Sequence, residues 1–86
     1  MAANGNSVGK DEVAQLVRRI LEERSINASV STESDLRDVG LTSLDMVALV
    51  LSVEAEFNVT IPETQITPAN FRSIATIDAL ISALRG

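Results

Sequence analysis

The sequence predicts an all-α fold: a small four-helix bundle with three main helices, one short third helix and a long loop between helices one and two. Three observations carry this. Apolar residues recur at helical spacing in three separate stretches. No stretch of any length alternates apolar and polar residues as a strand would. Cap-type residues, Thr42, Thr67 and Thr76, stand where helices should begin.

The first helix is expected over residues 11–24. Val13, Leu16, Val17, Ile20 and Leu21 follow the i, i+3, i+4, i+7, i+8 pattern, and charges fill the other side. Ser7 and Asp11 both suit its start. A connection rich in Ser, Thr, Asn and Asp follows, "SINASVSTESDLRDVGLT". Ile26, Val30, Leu36, Val39 and Leu41 should pin it across the body as an ordered loop, with a short helical turn at residues 35–38. Gly40 should supply the tight turn into the next element.

The second main helix is expected over residues 43–57, and Thr42 with Asp45 three residues on matches a capping box. "NVTIPETQITP" then breaks the pattern, with Pro62 enforcing extended backbone before it. Thr67 followed by Pro68 predicts the short third helix near residues 68–72. The last helix should start at Thr76, with Ile77, Leu80, Ile81 and Leu84 as its apolar stripe and Gly86 as its stop.

At 86 residues the chain is one domain. Residues 1–9 are expected to be a flexible N-terminal segment and residues 10–86 the domain. Apolar residues make up 45% of the chain, which argues against disorder, and Phe57 and Phe71 are its only aromatics, so the core must be aliphatic. The net charge of −5 and scattered basic residues argue against nucleic acid as a partner. With no Cys or His, the chain has no disulfide, no thiolate, and neither the usual general base nor the commonest metal ligand. No apolar run is long enough to cross a bilayer, and the first residues do not resemble a signal peptide. The expectation is a cytoplasmic monomer without a metal site, a membrane association or an activity of its own.

On a helical wheel of about 100° per residue, the helix over 43–57 has two apolar faces. Met46, Leu49, Val50, Val53 and Phe57 share one; Leu44, Val47, Ala48, Leu51 and Ala55 lie nearly opposite. Asp45, Ser52 and Glu56 run along one border and Glu54 along the other. Periodicity alone leaves two readings open: a central helix enclosed all round, or one core face and one partner face. The Phe57 stripe is the larger and more continuous, so it is the better core candidate. Leu44, Val47 and Leu51 would then meet a partner, with Asp45, Glu54 and Glu56 as an acidic rim.

Ser43 stands at the entrance of this helix. Most serines so placed only help to satisfy free N–H groups. A helix N-terminus nevertheless favours a phosphate through its unpaired N–H groups and positive dipole end. With no His or Cys in the chain, Ser43 lacks an activating base and could react only if another enzyme supplied one.

The stretch "DVGLTSLDMVALVLSVEAEFNVTIP" resembles the carrier-protein family, the acyl carrier proteins and the peptidyl or aminoacyl carrier domains. The family pattern opens this helix with Gly-x-Asp-Ser-Leu, closes it near Glu-x-x-Phe and continues to an extended Ile-Pro. Here it reads Gly40 to Leu44, then Glu54 to Phe57, then Ile61 and Pro62. The similarity runs over about residues 10–85.

The resemblance implies that Ser43 carries 4′-phosphopantetheine, transferred from coenzyme A by a magnesium-dependent phosphopantetheinyl transferase. The arm would hold an acyl or aminoacyl group as a thioester and present it to an acyl or aminoacyl ligase and downstream transferases. The missing cysteine then fits, because the working thiol arrives with the arm. The family docks partners through this helix, which implies contact roles for Leu44, Val47 and Leu51 and for Asp45, Glu54 and Glu56. Thr42 stands where fatty-acid carriers usually have Asp, and Ala48 and Ala55 replace commonly acidic positions. The rim is therefore poorer in charge, and "TPANFRSIATIDAL" looks more like a stand-alone carrier of a specialised pathway.

Two rival readings are an unmodified interaction module of the same fold and an enzyme built on Asp35, Asp38 and Asp45. Ser43 in its turn speaks against the first. The second meets the small room such a domain offers for an enclosed pocket. A calcium loop in "STESDLRDVG" fails on ligand spacing.

Overall fold

The structure is a computed structural model that describes residues 10–85, with side chains from Glu12 onward. It is all-helical, with no strand among the described residues: α1 (Lys10–Glu23), α2 (Leu36–Val39), α3 (Ser43–Phe57) and α4 (Ile74–Arg85), plus a single 3-10 turn at Glu63–Gln65. The expected segment 1–9, the choice between Ser7 and Asp11 as first cap, and the stop at Gly86 lie outside the described residues. No described helix is long and apolar enough to cross a membrane.

The expected stripe of α1 is the core: Val13, Leu16, Val17, Ile20 and Leu21 are all buried. The helix packs against α3 and α4. It ends in a Schellman motif, in which Ile26 N–H donates to the Leu21 carbonyl and Ser25 N–H to that of Glu22. Ser25 occupies the left-handed position at φ 57°. A non-glycine residue is strained there by roughly 1–2 kcal/mol. Ser25→Gly relieves that strain but adds unfolded-state freedom. The expected net result is a stabilisation of up to about 1 kcal/mol in a urea melt.

The long loop is pinned as its apolar residues predict. Leu36 and Leu41 are buried, and Ile26, Val30 and Val39 are half-buried against the core. Backbone bonds tie it to the far segment as well: Leu36 N–H donates to the Arg72 carbonyl and Ala75 N–H to that of Thr32. Asp35 caps α2 by accepting from Arg37 N–H, and Gly40 turns the chain at φ 124°.

Two boundaries differ from the sequence expectation. Residues 68–72 form turns rather than a short third helix, so the short helix of the bundle is α2, second in chain order. Thr67 does cap there, accepting from Asn70 N–H at 3.2 Å, but only one turn follows. The Asn70 amide reaches back to the Gln65 carbonyl, and the Arg72 carbonyl is taken by Leu36. These outside bonds compete with a helical ladder. The last helix begins at Ile74, because Ser73 takes the cap and Thr76 the third position of a reciprocal box. The two residues are of equivalent cap type, and local pattern alone does not rank them.

Candidate functional site

The capping box at the start of α3 is formed as the Thr42/Asp45 pair predicts. Thr42 is the N-cap; its hydroxyl accepts from Asp45 N–H, and Asp45 Oδ2 accepts from Thr42 N–H at 2.8 Å. The cap role therefore belongs to Thr42. Ser43, the first helical residue, is exposed, and its hydroxyl has no hydrogen-bond partner among the described residues. The ordinary explanation for a serine at a helix start does not apply to it.

Burial settles the two faces of α3. Leu49, Val50, Val53 and Phe57 are buried and Met46 is half-buried against them. On the opposite face Leu44 is 81% exposed, Leu51 61% and Val47 56%. Ala48 and Ala55 are exposed too, so the helix is not enclosed. A contiguous apolar face left in water points to a contact surface.

The acidic border is not the free rim expected from sequence. Asp45 is only 5% exposed, which corrects its assignment to an outer docking edge. Oδ2 accepts from the Thr42 N–H and hydroxyl, and Oδ1 accepts from the Arg24 guanidinium at the end of α1. The hydrogen bond from the Thr42 backbone is the main cause that lowers the Asp45 pKa below the ordinary carboxylate value; burial opposes it, and the Thr42 hydroxyl and Arg24 add to it. Glu56 is exposed and paired with Arg19 of α1 at 2.9 Å, a solvent-screened contact of small energetic weight. Glu54, on the other border, is half-exposed and accepts from Ile61 N–H at 2.8 Å through one oxygen.

A lowered folded-state pKa means that Asp45 stabilises the fold fully above the ordinary Asp range, near pH 4. That contribution is lost as the pH falls through its lowered value. The wild type should therefore lose more stability than Asp45→Asn between about pH 6 and about pH 2.5, read from urea midpoints.

Beside Ser43 a groove of about 470 Å³ runs between α3 and residues 66–72. Met46, Val47, Val50, Leu51, Ile66, Pro68 and Phe71 give it apolar walls; Ser43, Glu54, Thr67, Arg37 and Arg72 supply its polar atoms. Sequence reasoning missed Ile66, Phe71, Arg37 and Arg72 as site residues. Arg37 comes from α2 and the other three from the connection between α3 and α4, and no short-range period links the two to α3. A serine hydroxyl at a helix N-terminus, opening on an apolar groove, suits an attached phosphate with a slender arm behind it. Of the three carboxylates weighed for an enzyme, Asp35 is the N-cap of α2 and Asp45 is held by the Thr42 box and by Arg24.

Comparison with known proteins points the same way. The family pattern described as "Phosphopantetheine attachment site" matches residues 11–84. Aminoacyl carrier protein 1 of Bradyrhizobium diazoefficiens is 46% identical over 76 residues, covering 88% of this chain and 84% of that protein. Among solved structures, a chain in the complex of Bradyrhizobium japonicum glycine:[carrier protein] ligase with its cognate carrier protein and an analogue of glycyl adenylate is 46% identical. It matches with a TM-score of 0.75 over 86% of this chain and 96% of its own length. A chain in the complex of the same ligase with glycylated carrier protein is 48% identical, with a TM-score of 0.72 over 83% of this chain and 96% of its own.

Proposed function

The chain belongs to the carrier-protein family that bears a phosphopantetheine attachment site, and from that premise we propose that Ser43 is the attachment point and an aminoacyl group the cargo. The arm supplies the thiol on which the cargo is held as a thioester. Residues 10–86 are then the carrier domain, and the chemistry is done by its partners rather than by the chain itself. The observation that carries the assignment is the Ser43 hydroxyl: exposed, released from capping by Thr42, and opening on the groove.

An aminoacyl cargo is supported by the names of the relatives, which include an aminoacyl carrier protein and a ligase bound to a glycylated carrier. We assign two partner classes: a phosphopantetheinyl transferase that attaches the arm and a ligase that loads the amino acid. Leu44, Val47 and Leu51 form the contact face for both, with Glu54 and Glu56 at its edges.

The test is direct. Protein without the arm is incubated with coenzyme A, magnesium and a promiscuous transferase, and intact mass and peptide mapping are recorded. One arm on Ser43 is expected; no gain in mass, or a gain on another residue, overturns the assignment. Leu44→Arg and Leu51→Arg should weaken the ligase interaction while changing stability by no more than about 0.5 kcal/mol, as expected of exposed positions. Binding titrations and melts on the same samples check both halves.

A further inference from the structure

Asp45 and Arg24 take no part in attachment itself, yet among the described residues they form the one side-chain hydrogen bond between the Ser43 turn and the end of α1. We infer that they are positioning residues for Ser43: the Arg24–Asp45 pair, acting through the Thr42 box, holds the serine where an incoming phosphorus can be met. The inference rests on Ser43 being the attachment point.

The residue before Ser43 is held twice by one carboxylate oxygen, at 2.8 Å from Thr42 N–H and 3.0 Å from its hydroxyl. The second oxygen is held by Arg24, 21 residues away. Arg24 is itself placed by the Schellman motif that ends α1, its own N–H donating to the Ile20 carbonyl. Leu41, just before the box, is buried at 3% exposure and anchors the other side of the turn. Ser43 thus sits on a turn fixed from the core, from its own helix and from α1, while its own side chain stays free.

That freedom with a fixed backbone matters for the transfer. The Ser43 Oγ–P bond forms as the bond from that phosphorus to the bridging pyrophosphate oxygen of coenzyme A breaks. Adenosine 3′,5′-bisphosphate leaves, and the hydroxyl proton passes to a base on the transferase. An attacking oxygen displaced by about 1 Å can lose roughly a hundredfold in rate. Positioning of this kind appears in kcat. A charge that steers docking appears in KM and in its salt dependence.

The experiment measures arm attachment to the full chain by intact mass, at saturating coenzyme A and varied carrier concentration. Asp45→Asn and Arg24→Gln should each lower kcat about tenfold or more with KM within about twofold. Arg24→Lys, which keeps the charge, should recover most of the loss. The double variant should be no worse than Asp45→Asn alone, because both act through one linkage. Arg19→Gln, which breaks the other α1–α3 pair away from the turn, should leave kcat unchanged. Unchanged kcat in Arg24→Gln, or an effect confined to KM and abolished by salt, overturns the inference. Failure of the wild type to be labelled at Ser43 would instead overturn the attachment assignment.

Discussion

Ser43→Ala is expected to abolish attachment of the phosphopantetheine arm and leave the fold intact. Loss of labelling should be complete, because a methyl group has no oxygen to form the phosphoester. Stability should stay within about 0.5 kcal/mol of wild type, as for other exposed positions. Thr42, not Ser43, satisfies the helix N-terminus, so the substitution removes no cap. A transferase assay and a thermal melt on one sample separate the outcomes. Persistent labelling would mean that another hydroxyl takes the arm. A large drop in melting temperature would mean that Ser43 carries structure that its surroundings do not reveal.

Phe57→Ala should have the largest effect on stability, about 3–5 kcal/mol. Phe57 is 7% exposed at the end of α3, on the face that holds Leu49, Val50 and Val53 in the core. Phe71 is the other aromatic side chain of the chain, so little nearby can expand to fill the space. A domain of this size is held by roughly 4–13 kcal/mol in all. The variant should therefore melt about 15 °C or more below wild type. A cost under about 1 kcal/mol would show that the two faces of α3 are reversed. The contrast with Leu51→Arg on the opposite face makes the pair of measurements decisive.

Much of this was legible from local pattern. The stripe of α1, the stripe of α4 and the Thr42/Asp45 box all depend on residues within one or two turns of each other, and all stand where the spacing predicts. The serine at the entrance of α3 was legible for the same reason. Local pattern erred where a distant group intervened. Residues 68–72 have a cap followed by proline, yet the Arg72 carbonyl is claimed by Leu36 from the long loop. Ser73 and Thr76 both suit a cap, and the pairing of their side chains decides which one opens α4.

The sequence by itself determined the three main helices, the Thr42/Asp45 box and the two apolar sides of α3, because helix periodicity and capping are short-range. Only the tertiary structure decided which side faces water, that Asp45 is buried against Arg24, and that a groove lies beside Ser43. Each depends on what α1, the long loop and residues 66–72 bring from far along the chain. A carboxylate reads the same in sequence whether water or a guanidinium meets it; burial and partners are properties of the packed molecule.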